Sequence, residues 1–281
     1  MRHPPLNTIP LVSIIVPTRD SGKTLEVCLA SINRQTYPSI EKVVVDQNST
    51  DDTRVIAKRH GAKVILVAPS KFYTPPSISR NIGARIASGK YILHVDSDME
   101  LPSNVVEECV MRCEMEGAGA VIIPEVDVYD GFWAKCKALE RSLYIGDRSL
   151  QAPRFFNRMH FDTIGGYDPA ISSGEDWDIH NRIRRVAKVS SIDTALRHHT
   201  GRIDLTRQLI KKYNYGKTID RYIARYKKHA LRQLMPFRVY VRNRRLVAHN
   251  FHHAIGLIVL RTLEFISAGL GSIINKLRES L

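Results

Sequence analysis

The stretch YILHVDSDMELP, residues 91–102, sets an apolar run against three acids spaced two apart, Asp96, Asp98 and Glu100. In an extended strand alternate residues face the same way, so Asp96 and Asp98 are expected to present both carboxylates to one ion while Ser97 faces away. Oxygen-only ligands suit Mg2+ or Mn2+, ions that keep waters and bridge substrate phosphates. An ion held there would neutralise charge developing on a diphosphate leaving group. Alone the triplet is a weak signal: with 16 aspartates in 281 residues, chance supplies roughly one Asp-x-Asp pair, and a solvated strand end reads the same way.

Three other stretches carry groups that complement such an ion. GEDWD, residues 174–178, arranges Glu175, Asp176 and Asp178 around Trp177. A carboxylate beside an aromatic ring in a cleft can be tuned toward a general base, and the same acids are favoured at a helix N-terminus; both can hold together. His198 and His199 follow a strand-like stretch, and either imidazole can complete a metal shell with the aspartates. In SISRNIGA, residues 77–84, Arg80 falls in the first turn of an expected helix, placed for a phosphate or nucleobase, or alternatively for a surface salt bridge.

The elements that must position these groups alternate strand and helix. LVSIIVPT (11–18) is a β-branched apolar run of the kind buried in parallel sheets. Asp20 and Ser21 then offer N-caps for a helix to about residue 35, with Leu25, Cys28, Leu29 and Ile32 on one face. Strands are expected over 42–49, 62–68 and 90–98, and helices over 51–60 and 77–88. This order predicts a doubly wound, mostly parallel α/β sheet with ligands at the carboxyl ends of its strands, where 18–20, 46–49 and 96–98 should meet on one edge. Farther on, the pattern predicts a helix over 102–116, one strand over 119–128 and a helix over 132–144. Residues 151–178, with Gly165 and Gly166, read as irregular loops that shape a site.

Cysteines 28, 109, 113 and 136 form no CxxC pair, so they read as small buried apolar residues in a reduced compartment rather than a disulfide or zinc framework. No run of eighteen uncharged apolar residues predicts a spanning helix, and the N-terminus lacks the apolar core of a secretory signal. The net charge of +14 is uneven: residues 197–249 hold fifteen Lys/Arg against two Asp, a balance of +13, which leaves +1 for the rest. A basic helix over 204–231 and a final helix from about 249 follow. The apolar stretch 254–274 carries Arg261 and Glu264, which makes it a poor span but a plausible helix lying in a membrane interface. Docking on an anionic cytoplasmic leaflet is one expectation; packing on the catalytic domain or on a second subunit is the other.

Taken in order, the motifs resemble those of family-2 glycosyltransferases with the GT-A fold, over roughly residues 11–200. IIVPTRD is similar to the family's first strand and nucleotide-contacting turn, which implies donor contacts from Pro17, Thr18, Arg19 and Asp20. VVVDQNSTDDT resembles the V-D-D-G-S-x-D-x-T segment, with Asp46 matching the acid at the base and Ser49, Asp51 and Thr53 also matching. Gln47 and Asn48 replace the usual Asp-Gly, and Asp20 stands where Asn is common, so UDP and GDP donors both stay open. Arg80-Asn81 matches the Arg-Asn before the metal strand; Asp96-Ser97-Asp98 matches the D-x-D motif; Glu175-Asp176 matches the E-D motif, which makes Asp176 the implied base. A histidine beyond it is often a further metal ligand in similar enzymes, here His198 or His199. No Q-x-x-R-W follows GEDWD, as in transferases that add one sugar.

The resemblance implies a catalytic domain over 1–200 and a basic helical region over 201–281. Its expected reaction is a metal-dependent, inverting transfer from a nucleotide-sugar to a hydroxyl acceptor, polyprenyl-phosphate-linked or otherwise lipid-borne. Trp177, Gly165 and Gly166 are expected on the acceptor side. The expected place is peripheral, on the cytoplasmic face of the cell membrane. Two other classes share parts of this pattern: a metal-dependent nucleotidyltransferase, which would release pyrophosphate, and a nucleic-acid-binding protein, which leaves the ordered acids without a role and is not expected.

Overall fold

The computed structural model describes residues 9–68, 75–147, 149–234 and 237–279. In chain order the elements begin β1 (Val12–Thr18), α1 (Gly22–Asn33), β2 (Ile40–Asp46), α2 (Thr53–Arg59), β3 (Lys63–Leu66) and α3 (Pro76–Ile86). They continue with β4 (Tyr91–His94), β5 (Met99–Glu100), α4 (Val105–Glu116), β6 (Ala118–Ile122), β7 (Glu125–Asp130) and α5 (Phe132–Tyr144). Next come β8 (Pro153–Asn157), α6 (Arg158–Thr163), α7 (Glu175–Ile183), β9 (Lys188–Ser191) and β10 (Leu196–Arg202). The chain closes with α8 (Leu205–Tyr226), α9 (Lys228–Leu234), α10 (Phe237–Arg242), α11 (Arg244–His249) and α12 (Phe251–Glu279). These group into two compact units. The first holds the residues up to Ile123 with Pro153–Gly166 and Arg182–Leu196; the second holds Pro124–Ala152, Tyr167–Asn181 and everything from Arg197.

The first unit is built on a seven-stranded sheet of order β3-β2-β1-β4-β8-β6-β9. The pairs β1–β2, β1–β4, β2–β3 and β6–β9 are parallel, while β8 runs antiparallel to β4 and β6. Alternation along β1 explains why helices cover both faces. Val12, Ile14 and Val16 pack with Leu25, Cys28, Leu29 and Ile32, the expected face of α1, all at most 2% exposed. Ile15 faces the other way onto α3, where a Cβ on Gly83 would lie 2.4 Å from it, so only glycine lets that helix sit so close. The guanidinium of Arg158 donates to the carbonyls of Ala84, Ala87 and Gly89, satisfying the C-terminal end of α3 that has no helical partners. All four cysteines are buried and unbridged.

Four local expectations are corrected. The strand expected over 119–128 is two strands in different sheets, because Pro124 cannot donate to a ladder and the chain leaves the first unit there. The loops expected over 151–178 contain β8, a central strand whose Phe155 and Phe156 are fully buried. Ser21 is the N-cap of α1 but makes no side-chain cap bond, and the carboxylate of Asp20 accepts from Thr50 N in the loop after β2 instead. Finally, β4 stops at His94, so residues 96–98 form a turn and the alternating-strand argument for Asp96 and Asp98 does not apply.

In the second unit α12 packs along α8 and α5, and β7 and β10 share a small sheet. A Cβ on Gly216 would lie 1.9 Å from Ala268 O, and one on Gly271 2.0 Å from Tyr213 O, so the α8 and α12 backbones touch through glycines. Beside that contact Arg261 Nε reaches Glu140 at 3.2 Å and Arg261 Nη1 reaches Glu264 at 3.0 Å. Lys137 pairs with Glu140, and Gln208 donates to Glu264. The two charges that argued against α12 as a membrane span therefore face protein. By length and composition α12 is apolar enough to cross a membrane, which the charge-free-run criterion had not predicted. The helices after 200 share this unit with 124–152 and 167–181, so the compact division does not follow a single boundary at residue 200.

Candidate active site

Strand register builds one edge of the first unit. Thr18 at the end of β1 pairs with Asp46 at the end of β2, and His94 at the end of β4 pairs with Ile15, so Asp96 follows at about the level of Pro17. Residues 18–20, 46–49 and 96–98 thus meet on the carboxyl edge, where doubly wound sheets bind ligands. Much of this edge is self-bonded. Asp46 is fully buried and accepts from Ser49 N at 3.1 Å and from the Ser49 hydroxyl. Asp51 accepts from Gly22 N at 2.9 Å and Thr53 N at 3.1 Å, tying together the starts of α1 and α2; the Thr53 hydroxyl bond holds its carboxyl below the usual range. Asp20 and Asn48 adopt left-handed backbone at φ 46° and 58°. Pro17 is buried, Arg19 is exposed, and the buried Thr18 hydroxyl has no hydrogen-bond partner among the described residues, which leaves a polar atom at the edge for a ligand.

Asp96 sits between two guanidiniums. Arg80 Nη2 donates to Oδ1 at 2.8 Å, and Arg154 Nη2 lies 3.1 Å from Oδ2. Arg80 is 4% and Asp96 31% exposed, so the bridge is part-buried rather than the surface one considered from sequence. Arg154 was not anticipated, because its strand β8 read as loop; the adjacent β-prone aromatics Phe155 and Phe156 were the available signal. Two cations around one carboxylate leave a local positive excess suited to a diphosphate. Its effect shows on neighbouring His94, which burial first and the Arg80 and Arg154 charges next hold well below its usual pKa, and so neutral. Ser97 Oγ donates to Ser21 Oγ at 2.9 Å, fixing the turn to the start of α1. Asp98 is half-buried in that turn, and Glu100 reaches Arg34 at 3.7 Å.

In the second unit GEDWD opens α7, with Glu175, Asp176 and Asp178 in its first turn, as the dipole favours. Gly174 holds φ 82°, and a Cβ there would meet the Tyr222 ring at 3.0 Å. Asp176 is half-buried, whereas Asp178 is fully buried and accepts from Arg225 Nη1 at 2.9 Å and Tyr226 OH at 2.7 Å. Trp177 donates to Leu150 O at 3.1 Å and packs beside Tyr222, so its indole also holds α7 in place. Gly165 and Gly166, in the first unit, both have positive φ. A Cβ on Gly166 would lie 2.7 Å from Asn81 Oδ1, so packing against α3 demands that glycine.

His198 and His199 lie within β10, a second strand that begins at Leu196 after β9, so the stretch before them is not one strand. His198 Nδ1 is 3.4 Å from Asp127 Oδ1, and Arg141 Nε donates to Asp127 Oδ2 at 3.0 Å. Burial pushes the Asp127 carboxyl up, but His198 and Arg141 outweigh it and hold the group below its usual range, hence anionic. A carboxylate behind one ring nitrogen is the arrangement that orients metal-binding histidines, so an ion would be met through Nε2. Among the described residues no three His, Cys, Asp or Glu side chains gather into a ready-made metal site. A Mg2+-like ion that takes one or two protein ligands and completes its shell with phosphates and water needs no such cage, and within the first unit the half-buried Asp98 fits that demand. Asp96, with both oxygens on arginines, fits it less well.

Residues 13–169 match the model of glycosyl transferase family 2. Glycosyltransferase GlyG of Streptococcus pneumoniae is 32% identical over 114 residues, which is 40% of this chain and only 38% of that protein. The PGL/p-HBAD biosynthesis glycosyltransferase of Mycobacterium bovis is 29% identical over 180 residues, 62% of this chain and 69% of that protein. Among solved structures, mannosyltransferase PcManGT from Pyrobaculum calidifontis, in complex with GDP-Man and Mn2+, superposes with a TM-score of 0.65 at 16% identity over 95% of this chain and 88% of that one. S. aureus TarS 1-349 in complex with UDP gives 0.56 at 20% identity over 90% of each chain. At these identities the structural likeness is one of fold, and that fold is GT-A, as expected.

Proposed function

The chain belongs to glycosyltransferase family 2, and we propose that it moves one sugar, with inversion, from a UDP- or GDP-sugar to the hydroxyl of a lipid-linked or cell-envelope acceptor. The observation that carries this reading is the carboxyl edge of the first unit, where Asp96 between Arg80 and Arg154 adjoins the Asp98 turn. There the arginines hold the diphosphate, and Thr18, Asp46 and the turn through Asn48 contact the nucleoside. Asp98, with His198 or His199, would hold Mg2+ or Mn2+, which would supply positive charge to a departing diphosphate.

Asp176 takes the proton of the acceptor hydroxyl as that oxygen bonds the anomeric carbon; the bond from this carbon to the diphosphate oxygen breaks, and the nucleoside diphosphate leaves with its electron pair. Glu175, Trp177 and the Gly165-Gly166 turn serve the acceptor side. UDP, UDP-GlcNAc and GDP-Man in the solved neighbours support a nucleotide-sugar donor, and the Mn2+ with GDP-Man supports a divalent ion. The apolar α12 and the basic segment before it support work at the inner face of the cell membrane on a polyprenyl-phosphate-linked acceptor.

The test is a panel of nucleotide-sugars with Mn2+ or Mg2+. Release of nucleoside diphosphate, abolished by chelation, is the expected result. Pyrophosphate release from nucleoside triphosphates, with no turnover of any nucleotide-sugar, would show a nucleotidyltransferase instead.

A further inference from the structure

The outward face of α12 is apolar over a length that no partner within the described residues covers. Ile258, Ile266 and Ile273 are 63%, 57% and 56% exposed, and Ile255, Val259 and Phe265 stand out beside them. From Ile255 to Ile274 no charged side chain is exposed on this helix, a stretch of about 30 Å at 1.5 Å per residue. Its two charges in that span, Arg261 and Glu264, point to the opposite side, into the pairs with Glu140 and Lys137. At the two ends the exposed residues turn basic: Arg244 and Arg245 before the helix, Lys276 and Arg278 at its end.

From this arrangement we infer that α12 docks the protein on an anionic bilayer while lying in the membrane plane, not crossing it. This rests on the membrane-side placement of the acceptor proposed above and specifies the surface that achieves it. Length and composition would permit a span, but α12 is joined backbone to backbone with α8 through Gly216 and Gly271, so a span would carry α8 and its exposed Arg207, Lys211 and Arg221 into the lipid, where charges are costly. An in-plane helix needs only one apolar side with basic residues at its rim. A second copy of the chain is the poorer occupant. The exposed apolar positions spread over roughly half of the helix circumference, wider than a coiled-coil seam, and a twofold contact would set one +13 segment against another.

The experiment uses the full chain with vesicles of phosphatidylcholine alone or containing phosphatidylglycerol, without donor or acceptor. Expected are co-sedimentation with the anionic vesicles, weakening as salt rises, and release by alkaline carbonate. Ile258→Asp with Ile266→Asp should bind at least about tenfold more weakly while keeping its thermal transition, since both positions are exposed. Arg244→Gln with Arg245→Gln leaves the apolar face intact and should lower binding to the anionic vesicles alone. Failure to sediment, resistance to carbonate, or a dimer that the paired aspartates dissociate without any vesicle binding would each overturn the inference. Vesicle binding does not depend on catalysis, so an enzyme that docks but releases no nucleoside diphosphate would sink the sugar-transfer reading alone, and the converse would sink only the docking.

Discussion

Both oxygens of Asp96 are held by arginines of different exposure, and the two should respond differently to truncation. Arg80→Ala removes a nearly buried guanidinium from a carboxylate that is 31% exposed and keeps Arg154, which should cost about 1–3 kcal/mol, read as a lower Tm. Arg154, at 13% exposure, should cost less stability but weaken UDP or GDP binding about tenfold or more, in line with 1.5–3 kcal/mol for a hydrogen bond to a charged group. Calorimetric titration beside thermal unfolding checks both; equal losses in each assay would contradict the division of labour. The Asp127 contact similarly favours His198 over His199 as the metal ligand. Asp127→Asn and His198→Ala should each lower Mn2+ affinity by about 10–100-fold, measured by electron paramagnetic resonance, while His199→Ala changes it little. The acids of the edge and Asp176 could be singled out from sequence because their motifs are local. Arg154 and Asp127 could not, because what identifies them is a partner 58 or more residues away.

Helix α7 carries Asp176, and its first turn is held by α8 through Asp178. Tyr226→Phe removes one donor to that buried carboxylate, and Arg225→Gln removes the bridge from Asp178 to Asp168. Each should lower stability by about 1–3 kcal/mol and lower kcat more than it changes donor affinity; an unchanged kcat would mean that α8 does not position the base. At this scale strand and helix signals worked wherever periodicity and burial agreed, as in β1 and in α1 with its four buried apolar positions. They failed where a single residue or a distant pairing decided. Pro124 split one apparent strand, β8 gained its identity from β4 and β6 on either side, and the chain left β4 after His94 for the turn at 96–98 although Val95 continues the apolar run.

Across the whole molecule, the basic character predicted to sit after residue 197 is real in the sequence, yet the chain interleaves its segments between two units, which local patterns do not reveal. The buried charges under α12 give the second unit a defined acid response. Burial alone would raise the Glu140 carboxyl, but Lys137 and Arg261 outweigh it and bring it down to about 2, from an ordinary value of 4.5. A depressed carboxyl contributes fully above pH 4.5, and its contribution fades as pH falls toward 2. Near-ultraviolet dichroism should therefore report loss of the packing of Trp133 beside Leu257 and Leu260 across that window, with a shallower response in Glu140→Gln. The central claim, an inverting sugar transfer with Asp176 as base, is tested most directly by Asp176→Asn with the donor that the panel identifies. The account predicts donor binding close to that of the unaltered protein and loss of transfer to the acceptor; transfer at the normal rate would contradict it.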